Sequence, residues 1–216
     1  MPLIDGPRLP PRSGQDAQAL VVLLHGYGAD GRDLIDLGTA WGELLPHAAF
    51  VSPHAPDPCA QAPVGRQWFP LTDLDPRELS RGAAMAAPGL AAFIAAERHR
   101  LNLGPDRVAL VGFSQGTMMA LQVAMTGTER FAAVLGYSGA FVAAGVPILA
   151  DPPPVLLVHG TIDEVVPAAL MMASANALAG AGAPVQWHLC PGLGHGIDQE
   201  GLSLGGAFLA EQLDMS

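Results

Sequence analysis

Three runs in this chain are apolar at every position rather than at alternate ones: "ALVVLL" (19–24), "VALVGF" (108–113) and "PVLLVHG" (154–160). A strand sends successive side chains to opposite faces, so a run of this kind needs cover on both sides. The solution open to it is a mostly parallel sheet sandwiched between helices. "AAFVSP" (48–53), "FAAVLGYS" (131–138) and "VQWHLC" (185–190) read as further strands. Between them the apolar spacing predicts helices over about 33–45, 77–101, 115–125, 167–179 and 199–213, the second disturbed near Pro88 and Gly89. The expected class is therefore α/β, one mostly parallel sheet with helices on both faces. With 216 residues, half of them hydrophobic, the chain suits one domain spanning 1–216, its first 18 residues irregular or an edge strand. In such sheets ligands bind beyond the carboxyl ends of the strands, so chemistry is sought where a strand stops.

Composition narrows the partners. A formal net charge of −10 repels phosphate backbones and anionic lipid heads, which argues against nucleic-acid binding and membrane docking. The N-terminus has no basic start followed by an apolar run, and the uncharged stretch 82–96 is too short to span a bilayer. Cys59 and Cys190 form no CxxC and no metal cluster; they read as thiols of a reducing compartment, with one disulfide not formally excluded. The expectation is a soluble, cytoplasmic protein.

A serine stands at a corner in "VALVGFSQGTMMAL" (108–121), where a strand pattern meets a helical one. The surrounding Gly-x-Ser-x-Gly string is weak alone: with 26 glycines in the chain, one accidental match is expected about one time in ten. A second copy, "GLSLG" around Ser203, has no strand before it and reads as an ordinary helix segment. Ser114 has the strand–turn–helix context that exposes a nucleophile. The bland alternative makes Ser114 a helix cap through its side-chain oxygen.

A serine hydroxyl needs a base, and the base an orienting group. Of the histidines after Ser114, His195 lies in the Gly-rich loop "CPGLGHGI" directly after a strand; His159 and His188 are its rivals. Between Ser114 and His195, Asp163 follows the strand "PVLLVHG" by a short turn, with Glu164 beside it as rival. Asp151 sits at the wrong end of that strand, and a backbone-capping turn residue is the bland reading of Asp163. A developing oxyanion would find the backbone N–H of Gln115 at the helix start, and that of Tyr27 in the turn "LLHGYGAD". His25 in that turn reads as structural. Trp68 and Phe69 in "RQWFPL" are either a loop packing itself down or an apolar wall for an acyl chain, whereas Met118 and Met119 follow the helical period and read as core.

Taken in order, "LLHGYGAD", "SPHAP", "WFPL", "VGFSQGTMMAL", "HGTIDEVVP" and "GLGHGI" resemble the carboxylesterase / acyl-protein thioesterase / lysophospholipase family of α/β-hydrolases, from about residue 19 to the C-terminal helix. The resemblance implies an α/β-hydrolase fold without a large cap domain. It also implies a Ser114–Asp163–His195 triad, an oxyanion hole from the amides of Tyr27 and Gln115, and no metal or organic cofactor. Two positions depart from the family pattern. Tyr27 stands where an aliphatic residue is common, its ring expected to narrow the pocket, and Thr117 stands where glycine often follows.

The expected activity is that of a serine carboxylesterase acting on short- to medium-chain esters through an acyl-enzyme. The alternative is a thioesterase or lysophospholipase taking long acyl chains. A non-catalytic binding module of the same fold is the reading from another class. The partner is a small-molecule ester, and the resemblance implies a monomer or homodimer.

Overall fold

Odd and even positions of the first long strand part company in the computed structural model, which describes residues 4–59, 62, 64–71, 75–143 and 147–215. In β2 (Ala19–Leu24) the side chains of Leu20, Val22 and Leu24 enter one core, and those of Ala19, Val21 and Leu23 enter another. The first core is roofed by helices α2 (Pro76–Arg100), α3 (Gln115–Thr126) and α4 (Ala168–Gly180). The second lies under α1 (Ile35–Trp41) and α5 (Gln199–Gln212), with Trp41 and Phe208 in its interior. Burial on both faces is what the continuous apolar runs require.

The sheet has seven strands in the order β1-β3-β2-β6-β7-β8-β9. These are β1 (Arg8–Leu9), β2, β3 (Ala48–Val51), β6 (Val108–Phe113), β7 (Ala133–Tyr137), β8 (Val155–Gly160) and β9 (Val185–Cys190). All neighbours run parallel except β1, which pairs antiparallel with β3 at the edge. The six expected strands are all present. A small hairpin that the sequence did not announce, β4 (Asp57–Pro58) with β5 (Arg66–Gln67), occupies the Pro-rich segment, part of which lies outside the described residues.

Two helices differ from expectation. The first is only Ile35–Trp41, because Gly42 closes it and the chain continues in turns to Leu45. The second is unbroken through Pro88. Proline removes one N–H and leaves the carbonyl one turn back without its partner; here Pro88 and Ala84 are both exposed, so water satisfies that carbonyl. Asp75 caps this helix by accepting from the N–H groups of Arg77 and Glu78, Pro76 occupies the first position, and Arg98, His99 and Arg100 face the negative end of its dipole. At 25 residues, with a mean hydropathy of 1.3 in its most apolar window, α2 is long and apolar enough to cross a membrane. Its Leu79, Ala83, Leu90, Phe93 and Ile94 are nevertheless buried in the first core.

The junction of β6 and α3 is held by close backbone approach. A methyl group on Gly116 would stand 1.8 Å from the carbonyl oxygen of Leu24 on the neighbouring strand. That oxygen is backbone and cannot move aside. Gly116→Ala should therefore destabilise the protein by about 1–3 kcal/mol, the cost of overpacking a filled core; urea denaturation should show the midpoint falling, and an unchanged midpoint would contradict the packing described.

Candidate active site

The chain leaves β6 at Phe113 and enters α3 at Gln115, so one residue makes the whole turn. Ser114 does so with φ 54° and ψ −115°, a strained conformation for a residue bearing a side chain. The surroundings hold it there. Its N–H donates to the Tyr137 carbonyl at 2.9 Å, and its own carbonyl accepts from Thr117 N–H at 3.0 Å. The Thr117 hydroxyl lies 2.8 Å from both the Gly112 and the Tyr137 carbonyl oxygens, so it bonds β6 to β7 just below the corner. A glycine at 117 could not do this. The side chain of Ser114 makes no capping hydrogen bond to the helix, so the bland reading of this serine does not describe it.

Beyond the next strands the acid and the imidazole meet. Asp163, 6 % exposed, follows β8 by two residues. Its Oδ1 accepts from the N–H groups of Val165 and Val166, each at 2.9 Å, and its Oδ2 accepts from His195 Nδ1 at 2.8 Å. Burial pushes its pKa up, but the His195 hydrogen bond and the two backbone donors outweigh that and hold the carboxyl below its ordinary value. The Asp163 carboxylate fixes the proton of His195 on Nδ1 and leaves Nε2 bare. The His195 ring stacks at a tilt on Phe113, the residue before Ser114, with centroids 4.9 Å apart. Among the described residues no hydrogen bond joins Ser114 Oγ to His195.

The rivals other than His159 fall elsewhere, and His159 lies against Asp163. Glu164 is exposed, Asp151 pairs with Arg130 at the surface, and His188 lies 3.3 Å from Glu200. Ser203 is an exposed residue of α5 whose Oγ donates to the Gln199 carbonyl. Cys59 and Cys190 are both buried and form no disulfide, and burial first, then Asp198, pushes the Cys190 thiol up to about 11. Among the described residues no cluster of three or more His, Cys, Asp or Glu could hold a metal ion.

The turn after β2 reaches the serine. A methyl group on Gly26 would stand 3.3 Å from Ser114 Cβ. His25, fully buried, accepts from Ala55 N–H at Nε2 (3.0 Å), so its proton lies on Nδ1, which donates to the Gly26 carbonyl at 2.7 Å. Burial holds the pKa of His25 down, keeping the ring neutral. Gln115 is also fully buried. Its side chain accepts from Trp68 N–H at 2.9 Å and donates to the Phe69 carbonyl at 2.8 Å, while the Trp68 indole N–H donates to the His25 carbonyl at 2.9 Å. Trp68 and Phe69, 2 % and 3 % exposed, are core residues. They line a groove of about 750 Å³ against α2. A separate apolar cavity of about 420 Å³ is lined by Met118, Ala140, Phe141, Val166, Leu170 and Ala173 among others. So the loop packs down and braces the helix start, and the same two residues wall the groove against α2.

Two contacts escaped the sequence reading. Ser138, at φ 47° directly after β7, donates from Oγ to the Gly196 carbonyl at 3.2 Å and so ties down the loop carrying His195. Gln115 was singled out for its backbone N–H, whereas its amide side chain joins α3 to the Trp68 loop. Nothing in the local sequence marks either contact, since both partners are backbone groups distant along the chain.

Known proteins share these features. The family model described as Phospholipase/Carboxylesterase matches residues 11–212. The chain is 31 % identical over 192 residues to the esterase YpfH of Escherichia coli K12, covering 86 % of this chain and 79 % of that one. It is 30 % identical over 213 residues to acyl-protein thioesterase 1 of Gibberella zeae, covering 90 % and 91 %. The crystal structure of esterase PE8 superposes with a TM-score of 0.91 at 43 % identity, covering 97 % of this chain and 99 % of that one. A carboxylesterase from Mesorhizobium loti, 21 % identical, shares the fold with a TM-score of 0.81, covering 97 % of this chain and 95 % of that one. With its parallel α/β sheet, its serine at the strand-to-helix corner and a family match over nearly its whole length, the chain belongs to the phospholipase/carboxylesterase family of α/β-hydrolases and is a serine-type hydrolase of esters.

Proposed function

We propose that the chain is a carboxylesterase for short- to medium-chain acyl groups, with Ser114 as nucleophile, His195 as general base and acid, and Asp163 as the orienting carboxylate. The observation that carries this reading is the 2.8 Å bond from His195 Nδ1 to buried Asp163, which leaves Nε2 without a proton on a ring that packs against Phe113, the residue before Ser114. Ser114 Oγ attacks the ester carbonyl while Nε2 takes its proton; the imidazolium formed is stabilised by Asp163 and returns the proton to the leaving alcohol. Water, deprotonated by the same nitrogen, then attacks the acyl-enzyme and releases the acid and Ser114.

The oxyanion sits between two amides in this reading. Gln115 N–H belongs to the first turn of α3, where backbone donors lack helical partners. Tyr27 N–H belongs to the same planar peptide as the Gly26 carbonyl. Because His25 pins that carbonyl, it sets the direction of the N–H opposite, and no acceptor takes this N–H among the described residues. The ring of Tyr27 is not needed for that role.

The cavity of about 420 Å³ supports the acyl preference. Its wall includes Met118, whose N–H bonds the Ser114 carbonyl, and Val166, whose N–H bonds Asp163. At the small end of ligand pockets, which run about 300–1,000 Å³, it suits a short or medium chain. Its one polar lining group, Ser174 Oγ, is engaged by Phe141 N–H and the Leu170 carbonyl. The similarity to an acyl-protein thioesterase supports the second reading, long acyl chains or thioesters, and a chain-length series separates the two.

Ser114→Ala should abolish hydrolysis of p-nitrophenyl butyrate and labelling by a fluorophosphonate; stoichiometric labelling of the variant would overturn the nucleophile. Wild type should be fastest on butyrate to octanoate esters, and a maximum at palmitate would favour the second reading. Ala173→Trp, which fills the cavity from an exposed position on α4, should cut octanoate hydrolysis by about tenfold or more and leave acetate hydrolysis within about twofold, in line with the cost of refusing a few methylenes. Equal effects on both esters would place the acyl chain elsewhere.

His25 generates a separate expectation. Its pKa is depressed in the folded protein, so below the unfolded value of about 6.5 the unfolded chain binds more protons and stability falls as pH falls. The depressed Asp163 acts in a lower window, its stabilisation being lost only as pH falls through its folded value beneath 3.8. Urea midpoints measured from pH 7.5 to 5 should therefore decline in wild type and decline less in His25→Gln. Parallel curves would show that His25 contributes nothing to the pH dependence.

A further inference from the structure

The Asp163 carboxylate has a second imidazole against it. His159, near the end of β8 and 1 % exposed, places Nε2 2.7 Å from the Val166 carbonyl and 3.2 Å from Asp163 Oδ2, the same oxygen that receives His195. Its Nδ1 is buried and has no hydrogen-bond partner. A neutral imidazole carries one proton, and here two acceptors converge on Nε2 while nothing faces Nδ1, so the proton belongs on Nε2. That N–H donates to the Val166 carbonyl and stands against Asp163 Oδ2 without a hydrogen bond to it. A buried ring with one orphaned nitrogen is a poor choice for packing alone, since leaving a polar atom unpaired is costly.

We infer that His159 is a positioning residue for the ester hydrolysis: its Nε2–H, anchored on the Val166 carbonyl, sets its positive end against Asp163 Oδ2, holding the carboxylate toward His195 and limiting the negative charge it presents there. This rests on the triad reading of Asp163 and His195. Three donors bond the two oxygens, Val165 and Val166 N–H on Oδ1 and His195 Nδ1–H on Oδ2, and His159 Nε2–H lies 3.2 Å from Oδ2 as a fourth polar neighbour. Among the described residues, Asp163 is the one titratable group recorded in contact with His159, and the two histidines are the charged or chargeable groups recorded in contact with Asp163. His159 transfers no proton. Its N–H stays on Nε2 throughout, while the proton of the reaction moves between Ser114, His195 Nε2 and the leaving group.

The consequence is a direction. Without the His159 donor, the carboxylate presents more charge to His195, the imidazolium is favoured, and the base is lost to protonation at higher pH. His159→Leu should shift the acid limb of kcat/KM upward by about half a unit or more and lower kcat by about tenfold, the size expected for removing one polar neighbour of a charged group, with KM nearly unchanged. His159→Gln, which can place an amide N–H near the same two acceptors, should bring the limb back. A merely structural histidine would lower the unfolding midpoint without moving the limb. An unmoved or downward limb in folded H159L, or a limb that H159Q fails to restore, overturns the inference. Should H159L not fold, nitrogen-15 NMR of the wild-type histidines decides instead: the proton of His159 is expected on Nε2 at every pH across which His195 titrates, and finding it on Nδ1 overturns the inference. Asp163→Asn run alongside keeps the two readings apart. Full activity in D163N sinks the triad itself, whereas an inactive D163N with an unaltered H159L sinks only the role of His159.

Discussion

A single residue turns a buried strand into a helix, and the rest of the site is arranged around the strain this leaves in Ser114. Its backbone is held at φ 54° by bonds from three directions: its N–H to Tyr137, its carbonyl to Thr117, and the Thr117 hydroxyl across β6 and β7. Strain of this kind, of order 1–3 kcal/mol, persists only where the surroundings over-determine it. What it achieves is exposure. The side chain at the corner stands clear of both strand and helix and makes no capping bond, so its hydroxyl is available to a base. The same geometry leaves the first N–H groups of α3 pointing beyond the sheet, where anionic charge is favoured.

The same dipeptide, His-Gly, directly follows β2 and closes β8, and the two histidines serve their loops in related ways. His25 and His159 are both buried, and each ring donates to a nearby carbonyl, of Gly26 and of Val166. A histidine does this better than an aliphatic residue because its ring reaches over the strand end and offers a directed N–H where the loop must turn. The two differ in their second nitrogen. That of His25 accepts from Ala55, whereas that of His159 has no partner. The first ring is thus fully satisfied and braces a peptide; the second donates its N–H to Val166 and sets it against Asp163. Both strand ends lie on the rim where chemistry is placed in folds of this class.

How much of this was legible beforehand depends on whether the information was local. Continuous apolar runs fix strands buried on both faces, and the strands 19–24, 108–113 and 185–190 begin and end where the sequence places them. Asp163 and His195 were legible as residues of loops following strands, and their contact follows from β8 and β9 being neighbours. The unbroken α2 was not legible, because whether Pro88 breaks a helix depends on which way it faces. Nor were the β4–β5 hairpin, the Gln115 clamp and the Ser138 tether, which join side chains to backbone groups or backbone to backbone across the fold. Trp68 and Phe69 show the same limit: an apolar pair in a Pro-rich loop is compatible with lining a groove or filling a core, and here the pair does both.

The chain contains the Gly-x-Ser-x-Gly string twice, and the two copies show that a motif acquires meaning from what its glycines touch. In "GLSLG" the glycines face inward from α5. A methyl group on Gly205 would stand 2.0 Å from the Tyr137 hydroxyl, and one on Gly201 2.9 Å from Val158, so these glycines let the helix settle onto the sheet. The Tyr137 hydroxyl then donates to the Gly201 carbonyl, and the serine between them faces solvent and bonds its own helix. In "GFSQG" a methyl group on Gly116 would stand 1.8 Å from the Leu24 carbonyl, and one on Gly112 2.3 Å from Thr117 N. Those glycines bring strand and helix together on either side of a sharp corner, and the serine is left outside it. The string is the same in both places, but only at a strand end does close packing of the glycines force the serine out beyond both strand and helix.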